Sequence, residues 1–251
     1  MVITGRSETA TREAADGLSS SLADGPRSAQ TVKGLALELG DLDSVKNFVT
    51  EHSAELAGWT HLVNNAGAKI ESPYKSTAQG FEWHFGVNHL AHHLLTSLLL
   101  PMGADSKRVV TVASIVARRG NPEHWGLTDA GISAGTYYSA SKLANLALML
   151  QLQDRFTEVT ATSAHPGFAK AEPYGNAVTR LGENLLAQSA AAGALPIAAA
   201  ALAEPGLYLG PNVFELWGRP AKAKVPATLS SEALTTLWEL SNRLTGAIWP
   251  S

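Results

Sequence analysis

Short apolar runs alternate with longer amphipathic stretches along most of the chain. The short runs are rich in β-branched residues and predict strands at Val2–Thr4, Lys33–Leu37, His61–Val63, Arg108–Val112 and Thr160–Ala164, with a further strand near Val213–Leu216. The longer stretches predict helices at Glu8–Ser21, Leu42–Leu56, Gly80–Leu100, Thr136–Phe156, Leu181–Ala203 and Ser231–Leu244. Such alternation is typical of a parallel sheet with helices on both faces, so the sequence predicts a doubly wound α/β fold.

Length and composition favour a single domain. The 251 residues contain no internal repeat, low-complexity linker or break in composition, and 45% of them are hydrophobic while only 16% are charged. A chain of this length and composition can bury one large core. We therefore predict one domain over residues 1–251, in which Val116–Gly135 is an unusually long polar loop.

Charge and cysteine content exclude several classes of function. A net charge of −3 provides no basic surface for nucleic acid, and the absence of cysteine excludes disulfides and thiolate metal sites. The chain does not open with a basic segment followed by an apolar core, and its most apolar helical stretch, Leu185–Leu202, contains Gln188, Ser189 and Pro196. We expect a cytoplasmic protein with no signal peptide and no membrane partner.

Tyr138 and Lys142 give the strongest chemical signal. They are four residues apart in a predicted helix, so both side chains lie on one face. A nearby ammonium group favours the phenolate and lowers the pKa of the tyrosine towards the range of a general acid/base. Tyr137 has no lysine four residues later, so Tyr138 is the predicted group. The spacing alone also fits an exposed aromatic residue beside a solvated lysine.

Further segments surround this pair in a fixed order. They are Val2-Ile3-Thr4-Gly5-Arg6, Leu62-Val63-Asn64-Asn65-Ala66-Gly67, Val87-Asn88-His89-Leu90, Val109-Val110-Thr111-Val112-Ala113-Ser114 and His165-Pro166-Gly167. Together with Tyr138 and Lys142, this set resembles the short-chain dehydrogenase/reductase family, most closely its retinol-dehydrogenase-like branch. The resemblance covers nearly the whole length, including Gly210–Phe214 and Leu237–Ser241.

The resemblance implies a catalytic group of four residues. Tyr138 would exchange a proton with the substrate oxygen, and Lys142 would lower its pKa and bind the nicotinamide ribose. Ser114 would hydrogen-bond the substrate oxygen. Asn88 would disturb its helix and hold a water in the proton relay from the lysine, although a buried asparagine bonded to the backbone is the alternative. The implied reaction interconverts an alcohol and a ketone or aldehyde by hydride transfer.

The resemblance also implies which residues bind the cofactor. Arg6 would suit the 2′-phosphate of NADP, and residues 2–7 include no acidic side chain for the ribose of NAD. NADP is therefore predicted over NAD, although an exposed N-terminal arginine is the alternative. Glu38 and Leu39 would contact the adenine edge, with Asp41 as a competitor for that place.

Two other segments would complete the cofactor cleft. Asn65, Ala66 and Gly67 would pack against the adenine ribose, and the asparagine would also support the sheet. A structural turn is the alternative for this segment. Pro166 and Gly167 would shape the nicotinamide pocket, and Ala171 stands where the family usually has a threonine that bonds the cofactor.

The family's glycine-rich phosphate turn has no counterpart here. After Gly5 no glycine follows until Gly17, so Val2–Arg6 resembles the second strand of the family. Roughly thirty to fifty residues, including the first strand, would then be missing before Met1. Because that strand lies centrally in the order 3-2-1-4-5-6-7, its loss would leave the second and third strands without their neighbour. A start assigned too far downstream is favoured over a truncated chain or a natural loss.

Two other chemistries find little support in the sequence. His84, His89, His92 and His93 cluster on one predicted helix, but no carboxylate or further ligand has a spacing that suggests zinc. Ser139 and Ser141 lack the Gly-x-Ser-x-Gly turn of a hydrolase nucleophile. We predict neither a metal site nor a hydrolase.

Substrate class and partners follow only from the resemblance. The segments at about 116–135 and 168–220 line the substrate cleft of the family, and four aromatic residues there favour an apolar substrate unless they serve packing: Trp125, Phe168, Tyr174 and Trp217. A homodimer or homotetramer is expected. The apolar side chains of the Tyr/Lys helix fit either a core or such an interface: Leu143, Leu146, Ala147 and Leu150. The alternative function is a non-catalytic interaction or scaffold protein that has lost cofactor binding.

Overall fold

A computed structural model describes residues 1–23, 31–69, 74–169 and 187–250 of the chain. Its strands are β1 (Val2–Gly5), β2 (Lys33–Ala36), β3 (Trp59–Asn64), β4 (Gly103–Val112), β5 (Val159–Ala164), β6 (Tyr208–Val213) and β7 (Trp217–Lys222). Its α-helices are α1 (Glu8–Ala23), α2 (Leu42–Glu51), α3 (Ser53–Leu56), α4 (Trp83–Phe85), α5 (Ala91–Leu99), α6 (Ala134–Arg155), α7 (Ala190–Ala200) and α8 (Ser231–Thr245). The alternation of strands and helices confirms the predicted α/β fold.

The strands form two sheets. One contains the parallel pair β1–β2, and the other has the order β3-β4-β5-β6-β7. Strands β3 to β6 are parallel, whereas β7 runs antiparallel to β6. The prediction of a parallel sheet is therefore correct for all of these strands except the last.

An open edge faces outward from each sheet. In the described part of the chain, β1 is paired only with β2, and β3 is paired only with β4. Val63 on β3 is 41% exposed although it is apolar. Within the described residues, no strand pairing joins β1 and β2 to the larger sheet.

The region predicted as the last strand is a tight turn. Val213–Leu216 connects β6 to β7, with the Leu216 N–H bonded to the Val213 carbonyl at 2.9 Å. Phe214 and Glu215 have φ values of 52° and 59°, so both residues have the left-handed backbone conformation of a tight hairpin turn. The apolar and aromatic residues of this segment resemble a strand in sequence. The prediction of a strand at Val213–Leu216 was therefore wrong, because the strands lie on either side of this turn.

Helix α1 lies directly on the small sheet. An added Cβ at Gly34 would stand 2.5 Å from the Thr11 carbonyl oxygen, so only glycine allows this close approach. The predicted helix at Leu42–Leu56 is divided at His52 into α2 and α3. The Asp41 side chain accepts a hydrogen bond from the Asp43 N–H and thereby caps α2.

Helix α6 is largely buried in the core. Its N-terminus is capped by the Ser133 hydroxyl, which accepts from the Thr136 N–H. Leu143, Leu146 and Ala147 are fully buried within the chain, and Leu150 is partly buried. These positions therefore belong to the core. Rigid burial of α6 fixes the direction of every side chain that it presents to the site.

Helix α8 is held on the helix that contains the histidine cluster. The His89 Nε2 is hydrogen-bonded to the Ser241 Oγ at 2.8 Å, and the His93 Nε2 is bonded to the Asn242 Oδ1 at 2.8 Å. The His93 ring also packs edge-on against Trp238, with ring centroids 5.2 Å apart. These histidines are thus structural, and no group of three or more possible metal ligands occurs within the described residues.

Candidate active site

The carboxyl ends of the parallel strands carry most of the predicted site residues. They are Arg6 after β1, Glu38 and Leu39 after β2, Asn65, Ala66 and Gly67 after β3, Ser114 after β4, and Pro166 and Gly167 after β5. Ligands of doubly wound sheets bind at this edge, because the strand-to-helix loops converge there. Helix α6 adds Tyr138 and Lys142, and the helix before α5 adds Asn88.

The structure distinguishes the two neighbouring tyrosines. Tyr137 is 1% exposed, and its hydroxyl donates to the Asp129 carbonyl at 2.9 Å while accepting from the Asp129 N–H at 2.8 Å. Burial raises the pKa of the Tyr137 phenol. Tyr138 is half-buried and has the Lys142 Nζ 6.0 Å from its ring centroid. Only Tyr138 therefore combines access with a nearby cation.

Lys142 is a buried cation anchored to the sheet. Its side chain is almost fully enclosed, and its Nζ donates to the Val112 carbonyl at 2.9 Å. Burial lowers the pKa of Lys142 to about 8, so the ammonium form predominates at neutral pH. An ideal Cβ placed on Gly67 would stand 3.1 Å from this Nζ, which shows how closely the loop after β3 approaches the lysine.

Asn88 lies in a π-helical turn, Gly86–Leu90, between α4 and α5. Its side chain joins two elements, because Oδ1 accepts from the Ala68 N–H at 2.7 Å and Nδ2 donates to the Ser141 Oγ at 3.0 Å. The Asn88 carbonyl is bonded to the His92 Nδ1 at 2.9 Å. The local helix disturbance expected for this asparagine is present, and π-helical turns are frequent at functional sites. The contact of its carbonyl with His92 was not foreseen.

Ser114 lies two residues after the end of β4 and caps the start of a short 3₁₀ helix, Ile115–Arg119. Its side chain is half-buried and accepts a long hydrogen bond of 3.4 Å from the Val116 N–H. Its carbonyl accepts from the Tyr208 hydroxyl at 3.3 Å, which fixes the strand end. The Ser114 hydroxyl therefore lies at the carboxyl edge of the sheet, where the contact with a substrate oxygen is expected.

The adenine-side residues differ in exposure. Arg6 is exposed immediately after β1, whereas Leu39 is 8% exposed and belongs to the core. Glu38 is half-buried, and its Oε1 accepts from the Gly40 N–H at 2.7 Å. Asp41 caps α2 and is bonded to Gln79, so it does not compete with Glu38 for the same role.

The loop after β3 places its asparagines differently from the expectation. Asn65, Ala66 and Gly67 are exposed, with the Asn65 N–H donating to the Val63 carbonyl at 2.9 Å. The asparagine that supports the interior is Asn64, which is 3% exposed and donates to the Thr96 Oγ1 at 2.9 Å. The sheet-supporting role assigned to Asn65 was therefore wrong by one residue, because side chains alternate between the two sides of a strand.

The turn after β5 is closely packed. Gly167 has a φ of 69°, and an added Cβ would stand 2.5 Å from the Leu216 carbonyl oxygen. The Pro166 carbonyl accepts from the Gln188 Nε2 at 2.7 Å, so the segment before α7 and the β6–β7 turn both hold this loop in place. Ala171 and Tyr174 lie outside the described residues.

The predicted cleft aromatics divide into two groups. Trp125 is 6% exposed, lies in the core and donates from Nε1 to the Ala140 carbonyl at 2.9 Å. It therefore serves packing, and the 116–135 segment contains two 3₁₀ helices, Ile115–Arg119 and Pro122–His124, instead of a plain loop. Phe168 and Trp217 are only partly buried near the carboxyl edge.

Sequence reasoning missed two buried polar residues at this site. Glu82 is 3% exposed and His84 is fully buried. The His84 ring packs edge-on against Tyr138, with centroids 5.8 Å apart and an interplanar angle of 72°. The available signal was a glutamate and a histidine in an otherwise apolar helical run, and it was interpreted only as part of a possible metal cluster.

The residues of this site are chemically suited to the nicotinamide cofactor that the resemblance implies. The backbone at Gly67 lies so close to the Lys142 and Asn88 side chains that a Cβ would stand 3.1 Å from the Lys142 Nζ and 3.2 Å from the Asn88 Oδ1. The buried ammonium of Lys142 and the exposed guanidinium of Arg6 offer positive charge to the hydroxyl and phosphate groups of such a cofactor.

Comparison with known proteins decides the family. The sequence profile of short chain dehydrogenases matches residues 1–180, more than two thirds of the chain. The chain belongs to the short-chain dehydrogenase family. Within it, the chain is retinol-dehydrogenase-like: it is 41% identical to retinol dehydrogenase 12 of Homo sapiens over 141 residues, which is 54% of this chain and 44% of that protein. The chain thus spans about half the length of the first curated relatives that it matches.

A longer alignment and solved structures agree. Retinol dehydrogenase 13 of Homo sapiens is 32% identical over 233 residues, covering 86% of this short-chain dehydrogenase and 69% of the relative. A putative uncharacterized protein from Mycobacterium paratuberculosis superposes with a TM-score of 0.77 at 31% identity, covering 100% of this chain and 85% of the other. A blue fluorescent protein from a metagenomic library, solved in complex with NADPH, shares the fold with a TM-score of 0.53 at 23% identity, over 68% and 65% of the two chains.

In the described part of the chain, none of the helices of this short-chain dehydrogenase is both long and apolar enough to cross a bilayer. The apolar stretch Leu185–Leu202 contains α7, an 11-residue helix interrupted by Pro196.

Proposed function

We propose that this protein transfers a hydride between NADP(H) and an alcohol or carbonyl substrate, with Tyr138 as the general acid/base. The observation that carries the proposal is the convergence of Gly67, Asn88 and Lys142 beside Tyr138. The Lys142 Nζ and the Asn88 Oδ1 both lie within about one van der Waals contact of the position of a Gly67 Cβ, at 3.1 and 3.2 Å. Three separate elements thus meet at Lys142, whose Nζ lies 6.0 Å from the centroid of the half-buried Tyr138 ring.

Each side chain has a defined task in the reduction of a carbonyl. The nicotinamide cofactor supplies the hydride, which adds to the carbonyl carbon. Tyr138 donates its proton to the carbonyl oxygen, and the ammonium of Lys142 stabilises the phenolate that remains. The Ser114 hydroxyl donates a hydrogen bond to the same oxygen as negative charge develops there. In the oxidation of an alcohol the proton moves in the opposite direction.

Asn88 serves this reaction by holding the site together. Its side chain bridges the Ala68 backbone and the Ser141 hydroxyl, so the loop after β3 and helix α6 keep a fixed separation. Its carbonyl is engaged by the His92 ring. We infer that the proton relay from Lys142 passes beside His92 instead of relying on the Asn88 carbonyl alone.

The choice of NADP rests on Arg6. The guanidinium is exposed at the carboxyl end of β1, and β1 itself has no acidic residue for a ribose 2′-hydroxyl. Fold relatives include proteins solved in complex with NADPH and with NADP. Both facts support an NADP(H) preference over NAD(H).

The substrate class follows from the relatives and from the partly buried aromatics. The curated relatives are named as retinol dehydrogenases, whose substrate is a large apolar alcohol. Phe168 and Trp217 are partly buried aromatic residues in segments that line the substrate cleft of the family, and they suit an apolar substrate of this kind. We infer an apolar alcohol and its aldehyde or ketone.

The proposal is tested by fluorescence titration with NADPH and NADH, followed by turnover assays with apolar aldehydes such as retinal. The 251-residue chain is measured beside any longer in-frame form, because the family's phosphate-binding turn would precede Val2. Saturable NADPH binding and NADPH oxidation with an aldehyde are expected. Folded protein that binds neither cofactor in either form would contradict the proposal and favour a non-catalytic interaction protein.

Replacing Arg6 by alanine is expected to weaken NADPH binding about ten- to a hundredfold while changing NADH binding little. The loss corresponds to one charge-assisted contact with the 2′-phosphate. Dissociation constants from the same titration check this result. Arg12→Ala removes an exposed arginine of α1 that is paired with Glu8, and it is the matched control. An equal loss for both cofactors in Arg6→Ala would remove the assigned phosphate contact.

A further inference from the structure

A buried carboxylate–imidazole pair lies behind the candidate acid/base. The Glu82 Oε1 is 2.7 Å from the His84 Nδ1, and the two side chains are 3% and 1% exposed. The edge of the His84 ring meets the Tyr138 ring at a centroid distance of 5.8 Å. The Glu82 carboxylate therefore contacts the His84 imidazole, and the same imidazole contacts the Tyr138 phenol ring.

Glu82 is itself held in one orientation. Its second oxygen, Oε2, accepts from the Phe85 N–H at 2.9 Å and caps α4. Its backbone belongs to an isolated bridge with Ser76. Both carboxylate oxygens thus have a partner, and the imidazole that they orient has little freedom to turn away from Tyr138.

A helix cap alone does not explain this arrangement. Capping needs only one acceptor oxygen, and a short serine, threonine or aspartate normally provides it at the surface. Enclosing a carboxylate and an imidazole removes both from water at a cost of several kcal/mol unless their contacts compensate. Buried polar groups of this kind cluster at functional sites, where the environment of a reacting group is set.

The charge of Glu82 acts on the surrounding phenols. It raises the pKa of Tyr74 and also contributes to the raised pKa of Tyr137, after the larger effect of burial in each case. The Tyr138 ring contacts His84, the imidazole that is bonded to Glu82, so the carboxylate is one side chain removed from this third phenol.

We propose that Glu82 and His84 are positioning residues that hold the Tyr138 phenol in its reactive orientation and balance the positive charge beside it. The balance involves cations from two other elements. The Lys142 Nζ lies 6.0 Å from the Tyr138 ring centroid, and the Lys69 Nζ, from the loop after β3, lies 5.9 Å from it. Two ammonium groups favour the phenolate, whereas the Glu82 carboxylate favours the protonated phenol. This inference rests on the proposed role of Tyr138 as proton donor, which requires a phenol that still carries its proton when the substrate binds.

The test is Glu82→Gln, in which the amide oxygen can still accept from the Phe85 N–H, the amide NH2 faces the His84 Nδ1 in place of the second oxygen, and the negative charge is removed. The ionisation of each tyrosine is followed by 19F NMR of protein labelled with 3-fluorotyrosine, and the Tyr138 signal is assigned by its loss in Tyr138→Phe. The Tyr138 phenol is expected to ionise about 0.5–1 pH unit lower in Glu82→Gln than in the wild type. The pH profile of kcat for carbonyl reduction is expected to shift in the same direction.

His84 is tested by two variants that differ in one property. His84→Leu removes both the ring contact and the donor to Glu82, and kcat is expected to fall about tenfold with KM nearly unchanged. His84→Gln keeps an N–H donor for Glu82, so it is expected to recover part of this loss. His93→Gln is the matched control, because His93 is another buried histidine on the same helical run and contacts Asn242 and Trp238 rather than Tyr138.

The outcomes separate this inference from the proposed function. A Tyr138 ionisation that is unchanged in folded Glu82→Gln would overturn the inference, whether or not the protein turns over any substrate. A shifted ionisation in a protein without NADPH-dependent turnover would uphold the pair and reject the proposed reaction. A loss of kcat in His93→Gln equal to that in His84→Leu would show that the effect is one of general stability, and it would also overturn the inference.

Discussion

Replacing Tyr138 by phenylalanine is expected to reduce turnover by about a hundred- to ten-thousandfold, the range that a positioned general acid contributes. The substitution removes one hydroxyl from a half-buried ring and leaves the ring contact with His84 in place. NADPH binding should therefore remain within about threefold of the wild type. Single-turnover oxidation of NADPH and a fluorescence titration measure the two quantities separately.

Tyr137→Phe is the matched control for this result. Tyr137 is the adjacent residue, but its hydroxyl is occupied by both backbone groups of Asp129. Its loss leaves these groups without a partner and should cost about 1–3 kcal/mol of stability while leaving kcat nearly unchanged. Turnover that survives in Tyr138→Phe and disappears in Tyr137→Phe would reverse the assignment of the acid.

The sequence predicted this pair of roles because the chemistry is local. Tyr138 and Lys142 are one helical turn apart, and strand ends such as Ser114 are located by a β-branched run and its last residue. Parallel strands bring their carboxyl ends to one edge, so residues distant in sequence meet there without any knowledge of side-chain packing. For the same reason the α/β class and five of the six predicted strand positions agree with the structure.

The features that the sequence did not predict depend on contacts between distant segments. Glu82 and His84 lie more than fifty residues before Tyr138, about one fifth of the chain away, and no spacing rule joins them. His89 contacts Ser241 across 152 residues. Trp125 was expected in the cleft, but its indole N–H is satisfied by the Ala140 carbonyl in the core. A loop has no regular spacing of apolar residues, so the burial of an aromatic residue in a loop cannot be predicted from the hydrophobic pattern.

The prediction of a strand at the β6–β7 turn was wrong for a different reason. Its residues Phe214 and Glu215 have a left-handed backbone that glycine or asparagine normally adopts. The turn is nevertheless stable, because Gly167 packs against the Leu216 carbonyl and the Phe168 N–H donates to that same carbonyl at 3.0 Å. Tertiary contacts thus replace the expected turn residues, and they tie this turn to the loop at the nicotinamide side of the proposed site.

Lowering the pH from 7 to about 5 is expected to lower the free energy of unfolding markedly. Burial lowers the pKa of His92, His93 and His165 to about 4, and the pKa of His89 also lies well below its usual value of 6.5. Below pH 6.5 the unfolded chain binds a proton at each of these histidines while the folded chain does not. The free energy of unfolding therefore falls between pH 6.5 and 4, by up to about 3 kcal/mol for each histidine at pH 4.

The effect is large compared with the stability of a typical domain. Four histidines together give a slope of up to about 5 kcal/mol per pH unit, against a total of about 5–15 kcal/mol. Chemical denaturation at pH 7.5, 6.5, 5.5 and 4.5 measures this slope. A free energy of unfolding that stays constant between pH 7 and 5 would contradict the neutral, buried state of these side chains.

One substitution isolates the contribution of the histidines that join α5 to α8. His93→Gln keeps a donor for the Asn242 Oδ1 but cannot take up a proton, so the slope between pH 6.5 and 5 should decrease by about one quarter. His61→Gln, at an exposed position of β3, is the control for a histidine substitution outside the core. Because the polar contacts of α8 with this helical run are made through His89 and His93, protonation at these two rings should loosen this helix first. Hydrogen exchange at pH 5.5 is then expected to show earlier loss of protection in α8 than in β4 or β5.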